Sequence, residues 1–154
     1  MREDRIGMDQ PTAEGALKLL ERLVGDWDVE STWPDGSLGP AHGRTSIVWH
    51  ESRAHLVVTS TVDLPEAPDS TSIIGCDGAS GAYVSLYADE RGVARIYRMS
   101  IDEHEWMLWR DGIPFGQRFV AHVSDDGNAM TGGWEIEEDG VFKPDFSMVY
   151  RRAT

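Results

Sequence analysis

From Asp26 to the C-terminus, apolar and polar positions alternate with period two in short stretches rich in Trp, Val, Ile, Tyr and Thr. This is the pattern of strands that bury one face. It predicts ten strands, at Asp26–Trp33, Arg44–His50, Ala54–Val62, Thr71–Cys76, Ala82–Ala88, Val93–Ile101, Glu105–Arg110, Phe115–Ser124, Ala129–Glu137 and Val141–Arg152. The breaks between them carry Asp35-Gly36, Asp77-Gly78, Glu90-Arg91-Gly92, Asp111-Gly112, Asp126-Gly127 and Asp139-Gly140, residues that favour tight turns. Each strand is therefore expected to pair with its neighbour in the chain. Pro65 and Pro68 keep Leu64–Ser70 out of a central strand, so that segment reads as a loop. Ahead of Asp26 the period changes. Leu17, Leu20 and Val24, with Ala16, Leu19 and Leu23, recur at helical spacing, predicting one α-helix over Ala13–Val24, capped by Thr12 and ended by Gly25. A ten-strand meander is long enough to close on itself and lose its exposed edges. The expected fold is all-β: an up-and-down antiparallel closed barrel with one N-terminal helix packed at a barrel end. Residues 1–11 read as a flexible polar leader and residues 12–154 as a single domain.

Counting across the turns assigns a face to each side chain. The count sets Leu86 opposite Arg95, Met99 opposite Met107, Tyr97 opposite Trp109, His122 opposite Met130 and Arg118 opposite Trp134. One face then holds Val84, Leu86, Arg95, Tyr97, Met99, Met107, Trp109, Arg118, Val120, His122, Met130, Trp134, Ile136, Phe142, Phe146, Met148 and Tyr150. As the more apolar face, it is assigned to the interior. The outer face takes Tyr83, Ser85, Arg98, Gln117 and Glu135 among others. Two guanidinium groups inside would be costly without partners, and the count finds too few inward carboxylates to neutralise them. The expected ligand-binding set is Arg95, Tyr97, Met99, Trp109, Arg118, His122, Trp134 and Tyr150. Within it, Arg95 and Tyr97 share one side of a strand and suit a carboxylate; an internal network with Tyr150, water or a further inward acid is the alternative.

Composition narrows the partners. There are 14 Lys and Arg against 27 Asp and Glu, a net charge of -13, which disfavours nucleic acid and anionic membranes. Only Lys18 and Lys143 are lysines; the other basic residues are arginines. Cys76 is the lone cysteine, so no intrachain disulfide forms, and a reducing cytoplasm is the expected compartment. No targeting segment or membrane-spanning run is visible. Neither metal nor cofactor is expected. His50 and His55 sit near a turn without a third ligand, and Asp125-Asp126-Gly127 lacks the alternating acids of a calcium loop. No serine elbow or phosphate loop appears. A homodimer is compatible with this surface.

Gly25-Asp26-Trp27 at the start of the first strand, followed by a ten-strand meander ending in Tyr150-Arg151-Arg152, resembles the calycin superfamily of lipocalins and fatty-acid-binding proteins. The stretches GVARIYRMS, GQRFVAHVSDDG, GGWEIEEDG and DFSMVYRR resemble an uncharacterised bacterial family of lipocalin-like barrels. The resemblance implies a central cavity, and a cation-π contact between Trp27 and Arg151 or Arg152. It also implies a ligand-holding role for Arg95-Ile96-Tyr97, because fatty-acid-binding proteins hold a carboxylate with a similar pair. The resulting expectation is a carrier or sensor of a small, mostly apolar ligand with an anionic or polar group. An isomerase, cyclase or hydrolase using His122 as base, with Tyr97 or Tyr150 as acid, is the second reading. A haem-binding barrel is the third, although the last strand lacks the His of the nitrobindin type.

Overall fold

The computed structural model describes residues 17–77, 80–112 and 114–154, and these form ten strands. They are β1 (Gly25–Thr32), β2 (Ala41–Trp49), β3 (Leu56–Val62), β4 (Ser70–Cys76), β5 (Tyr83–Asp89), β6 (Ala94–Ile101), β7 (Glu105–Arg110), β8 (Gln117–Val123), β9 (Ala129–Glu138) and β10 (Val141–Arg152). Each pairs antiparallel with its chain neighbour, and β10 returns to β1, with Trp27 opposite Arg152 and Thr32 opposite Ser147. The closed all-β barrel read from the alternation is the fold observed, and its ladder leaves no open edge among these strands.

The helix differs from expectation. Its described part is a 3-10 helix, Lys18–Leu23, with Leu20 N donating to Leu17 O at 3.0 Å and Val24 N to Glu21 O at 3.1 Å. Three residues per turn line up Leu17, Leu20 and Leu23 as one ridge, and all three are buried. An α-helix would turn each successive leucine away by about 60°. Thr12, residues 13–16 and the leader lie outside the described residues.

This ridge plugs one barrel end. Trp27 Nε1 donates to Leu23 O at 2.9 Å, tying β1 to the plug. Arg152 then lies across the indole, its Cζ 4.3 Å from the ring centroid. Its guanidinium donates to three carbonyls: Val24 O at 2.6 Å, Arg22 O at 3.0 Å and Gly127 O at 2.9 Å. Of the two arginines expected at this place, Arg152 is the one used; Arg151 is exposed. A Cβ at Gly25, where φ is 145°, would collide with Arg152 Nη1, so the glycine makes room for the clamp. Behind it Ile47, Leu56, Ile74, Met99, Phe119 and Met130 fill the interior at this end.

Turn lengths fix which side chains face inward, and several differ from the count. Asp89 N bonds to Val93 O at 2.9 Å, leaving Glu90-Arg91-Gly92 as the β5–β6 loop, so Tyr87 rather than Leu86 stands opposite Arg95. Val84 and Leu86 consequently point outward. Asp102 Oδ1 accepts from His104 N at 2.8 Å and Glu105 N at 2.7 Å. Asp102 N also bonds to Glu105 O at 3.0 Å, so Met99 meets Leu108 instead of Met107. That single step turns Met107 and Trp109 outward, and with them Arg118, Val120 and His122 on β8. The β8–β9 turn is also one residue from the count and reverses the step, returning Trp134 to the interior opposite Phe119. A bulge between Pro144 and Phe146 leaves Phe142 outside, beneath Arg118, while Phe146, Met148 and Tyr150 point in.

Replacing Arg152 with Lys keeps the charge but gathers the donors on one nitrogen, which cannot reach the three carbonyls served by Nε, Nη1 and Nη2. Urea unfolding should show a loss of about 3 kcal/mol from the missing charged hydrogen bonds and ring contact. A change below about 0.5 kcal/mol, the size expected at an indifferent surface site, would show that Arg152 does not clamp the barrel end.

Candidate functional site

At the end opposite the 3-10 helix the interior stays open. A cavity of about 380 Å³ reaches down from the loops that join β1 to β2, β3 to β4, β5 to β6 and β7 to β8. Its walls are chemically divided. On one side β1 to β5 present small hydroxyls, among them Ser31, Thr45, Ser60, Ser72 and Ser85, with Thr45 and Ser60 hydrogen-bonded at 2.9 Å. On the other side β6 to β10 and the β1–β2 loop present rings. Trp134 lies 5.4 Å from Tyr97 and 5.2 Å from Phe119 between centroids, and Trp33 stacks on Phe146 at 4.9 Å. Such contacts fix the rings as well as bury them.

Two arginines at the rim have different electrostatic situations. Arg91 is neutralised: its Nη2 lies 2.6 Å from Asp89 Oδ2, and Tyr87 Oη donates to the same oxygen at 2.8 Å. The Arg91 hydrogen bond, followed by the Tyr87 bond, holds the Asp89 carboxyl far below the usual carboxylate range. Arg95 has no carboxylate within ion-pair distance among the described residues. Its Nη1 donates to Gln117 Oε1 at 3.4 Å, and its Cζ sits 4.5 Å from the Phe115 ring centroid. Phe115 reaches this place with φ of 61°, a left-handed conformation that costs a side-chain-bearing residue energy. Gln117 Oε1 also accepts from Tyr97 Oη at 2.6 Å. Burial raises the Tyr97 phenol, opposed by its hydrogen bond to Arg95 and by the charges of Arg95 and Arg110. Arg95, Tyr97 and Gln117 thus form one donor-rich group beside the ring wall. Deeper down, Tyr150 Oη finds only Met148 Sδ at 3.8 Å, and Trp106 Nε1 has no hydrogen-bond partner among the described residues.

Of the side chains expected to bind ligand, Arg95, Tyr97, Trp134 and Tyr150 line this cavity. Met99 points inward but lies in the packed core at the plugged end. Trp109, Arg118 and His122 are on the outer surface, moved there by the β6–β7 turn. Arg118 is paired there with Glu135, Nε to Oε1 at 2.8 Å, and His122 is exposed. The acid-base reading that placed His122 in the cavity therefore loses its base. Gln117, Tyr87, Ser85, Trp106 and Phe115 line the cavity and were not expected there. For β8 the strand's own text held the signal: Phe119, Ala121 and Val123 alternate with Arg118 and His122. Among the described residues no three His, Cys, Asp or Glu side chains converge as a metal site.

No protein-family model matches this chain, and no curated protein sequence matches it. Among solved structures it is similar to the crystal structure of Rv2717c from M. tuberculosis, with a TM-score of 0.67. The match covers 90% of this chain and 98% of that one at 15% identity, a likeness that shows the fold.

All four tyrosines, Tyr83, Tyr87, Tyr97 and Tyr150, have phenols raised by burial, Tyr87 to about 12. In the unfolded chain tyrosine ionises near pH 10. The folded state holds these protons longer, so this contribution to stability is complete below about pH 10 and is lost as pH rises toward the folded values. The rise in absorbance at 295 nm should lie at higher pH than in the urea-unfolded chain, and its main part should accompany loss of near-ultraviolet dichroism. A fully folded barrel whose phenols all titrate as in the unfolded chain would contradict the buried placement.

Proposed function

We propose that this barrel is a calycin-type, lipocalin-like carrier or sensor whose cavity takes a small, mostly apolar molecule with its anionic group against Arg95 and Tyr97. The observation that carries the reading is Arg95, a half-buried guanidinium on the cavity wall that has neutral partners, Gln117 and the Phe115 ring, and no carboxylate within ion-pair distance among the described residues. A cation so placed lacks the compensation that Asp89 gives Arg91, and a ligand carboxylate would supply it through two fixed donors. The volume is within the range of small-molecule sites, about 300–1,000 Å³. The ring wall suits an aromatic body, and the serine wall offers further polar contacts. Gly25 and Trp27 at the start of β1 with Arg152 across the indole support the calycin plan.

The cytoplasm is the compartment proposed, consistent with the single free thiol of Cys76. No helix among the described residues is long and apolar enough to cross a membrane. The haem reading gains no support from β10, whose inward residues at the cavity are Phe146, Met148 and Tyr150.

Calorimetric titration with 1-naphthoate and with the neutral 1-naphthylmethanol tests the proposal. Naphthoate should bind more tightly, and Arg95→Gln should weaken it by about 10- to 100-fold, the loss of charged hydrogen bonds, while moving the alcohol by less than about twofold. Arg95→Gln should also stabilise the empty protein, because it removes an unpaired half-buried charge. Equal affinity of both proteins for naphthoate would overturn the assignment of Arg95, and failure of both probes to bind would overturn the ring-sized cavity.

A further inference from the structure

The outside of the barrel is as unevenly divided as its inside. The five strands β2 to β6 contain one acidic residue, Asp89, and its carboxylate is buried against Arg91 and Tyr87. The other acids of this chain of net charge -13 fall on β1, β7, β9 and β10, in the loops and ahead of β1. Across these five strands runs one outward row, a residue from each, every member directly opposite the next. Val48 pairs with Val57, Val57 with Ile73, Ile73 with Leu86, and Leu86 with Ile96. Val48 is 49% exposed, Ile73 42%, Leu86 45% and Ile96 69%. These are four of the six large hydrophobic side chains exposed among the described residues. Aligned aliphatic side chains make a contiguous patch, and such patches mark contact surfaces.

We propose that this face is the contact surface of a homodimer, in which the β2–β6 faces of two copies pack sheet on sheet about a two-fold axis. The form of the face selects the partner. The strands are paired all round the barrel, so no edge is free to add a partner's strand. The row borders neither the cavity nor the surface depression around Gly43, so neither concavity extends onto it. What remains is a twisted sheet surface centred on the aliphatic row, which also exposes Arg44 of β2 and Arg98 of β6, and its natural complement is another sheet face at about 10 Å. Charge makes the second copy the specific occupant. Two such acidic bodies repel each other over most approaches, and this is the face on which they meet without apposing carboxylates. An isologous contact satisfies both copies at once. Five strands about 4.8 Å apart, each giving about seven residues at about 3.3 Å, present about 500 Å² in projection. That is below the roughly 800 Å² per partner of a standard interface, so the dimer is weak, dissociating in the micromolar range. This inference is independent of what the cavity binds.

Sedimentation velocity of the full chain from sub-micromolar to sub-millimolar concentration tests it. A reversible monomer–dimer equilibrium should appear and tighten with added salt, because screening removes the repulsion between acidic bodies. Leu86→Glu and Ile96→Glu should each weaken it by about 100-fold through apposed like charges. Both sites are exposed, so circular dichroism and melting should confirm an intact fold. Val141→Glu, an exposed site on β10, should dimerise as the parent does. A parent that stays monomeric throughout overturns the proposal. So does a dimer that Leu86→Glu and Ile96→Glu leave unchanged, or one that salt dissociates.

Discussion

The barrel is held shut by Arg152 lying across Trp27. These residues come from opposite ends of the strand sequence and sit directly opposite each other where β10 meets β1, so the contact is made only when the meander has come full circle. The guanidinium reaches the carbonyls of Arg22, Val24 and Gly127, binding the leucine plug, the first strand and the β8–β9 turn to one group. A planar cation with divergent donors can do this where a lysine cannot. Because that end is sealed and filled by the leucine ridge and its core, the empty volume is confined to the other end. The cavity is thus a consequence of an asymmetric closure.

Around the cavity the ordinary division of apolar inside and polar outside is partly inverted. β5 shows it most plainly, turning Ser85 and the Tyr87–Asp89 pair inward while Val84 and Leu86 face out. The inward hydroxyls leave room and hydrogen-bonding capacity inside, and the outward aliphatics continue the row shared with Ile73 and Ile96. One local departure from the usual pattern therefore serves two surfaces. The charge distribution follows the same logic: carboxylates crowd the loops and half of the exterior, while Arg95 keeps an uncompensated positive charge at the cavity. The net charge of -13 describes the exterior and not the site.

Strand existence and order were legible in the sequence because each strand is short, alternating and followed by turn residues with one dominant conformation. The plug was legible in its leucines, though not in its 3-10 form, which comes from packing three leucines in line against the core. Facing was less legible, because it passes through turns whose length shifts by one residue with a single side-chain hydrogen bond. Asp102, by capping His104 and Glu105, reversed β7 and β8, and the next turn restored β9. Trp109, Arg118 and His122 were displaced for that reason, while Arg95, Tyr97, Trp134 and Tyr150 kept their place. The inward text of β8, with Phe119, Ala121 and Val123, was readable strand by strand. β5 was not, since there the apolar residues are the outer ones and local patterning points the wrong way.

The central claim is that the donor group of Arg95 and Tyr97 receives a ligand anion while the ring wall receives its body. Its most direct measurement is a nuclear magnetic resonance titration with naphthoate, following the Arg95 side-chain N–H and intermolecular contacts from the naphthyl protons. A large shift at Arg95 and contacts to Tyr97 and Trp134 are expected. Shifts and contacts confined to Trp109 and His122 on the outer face, with Arg95 unmoved, would contradict the claim.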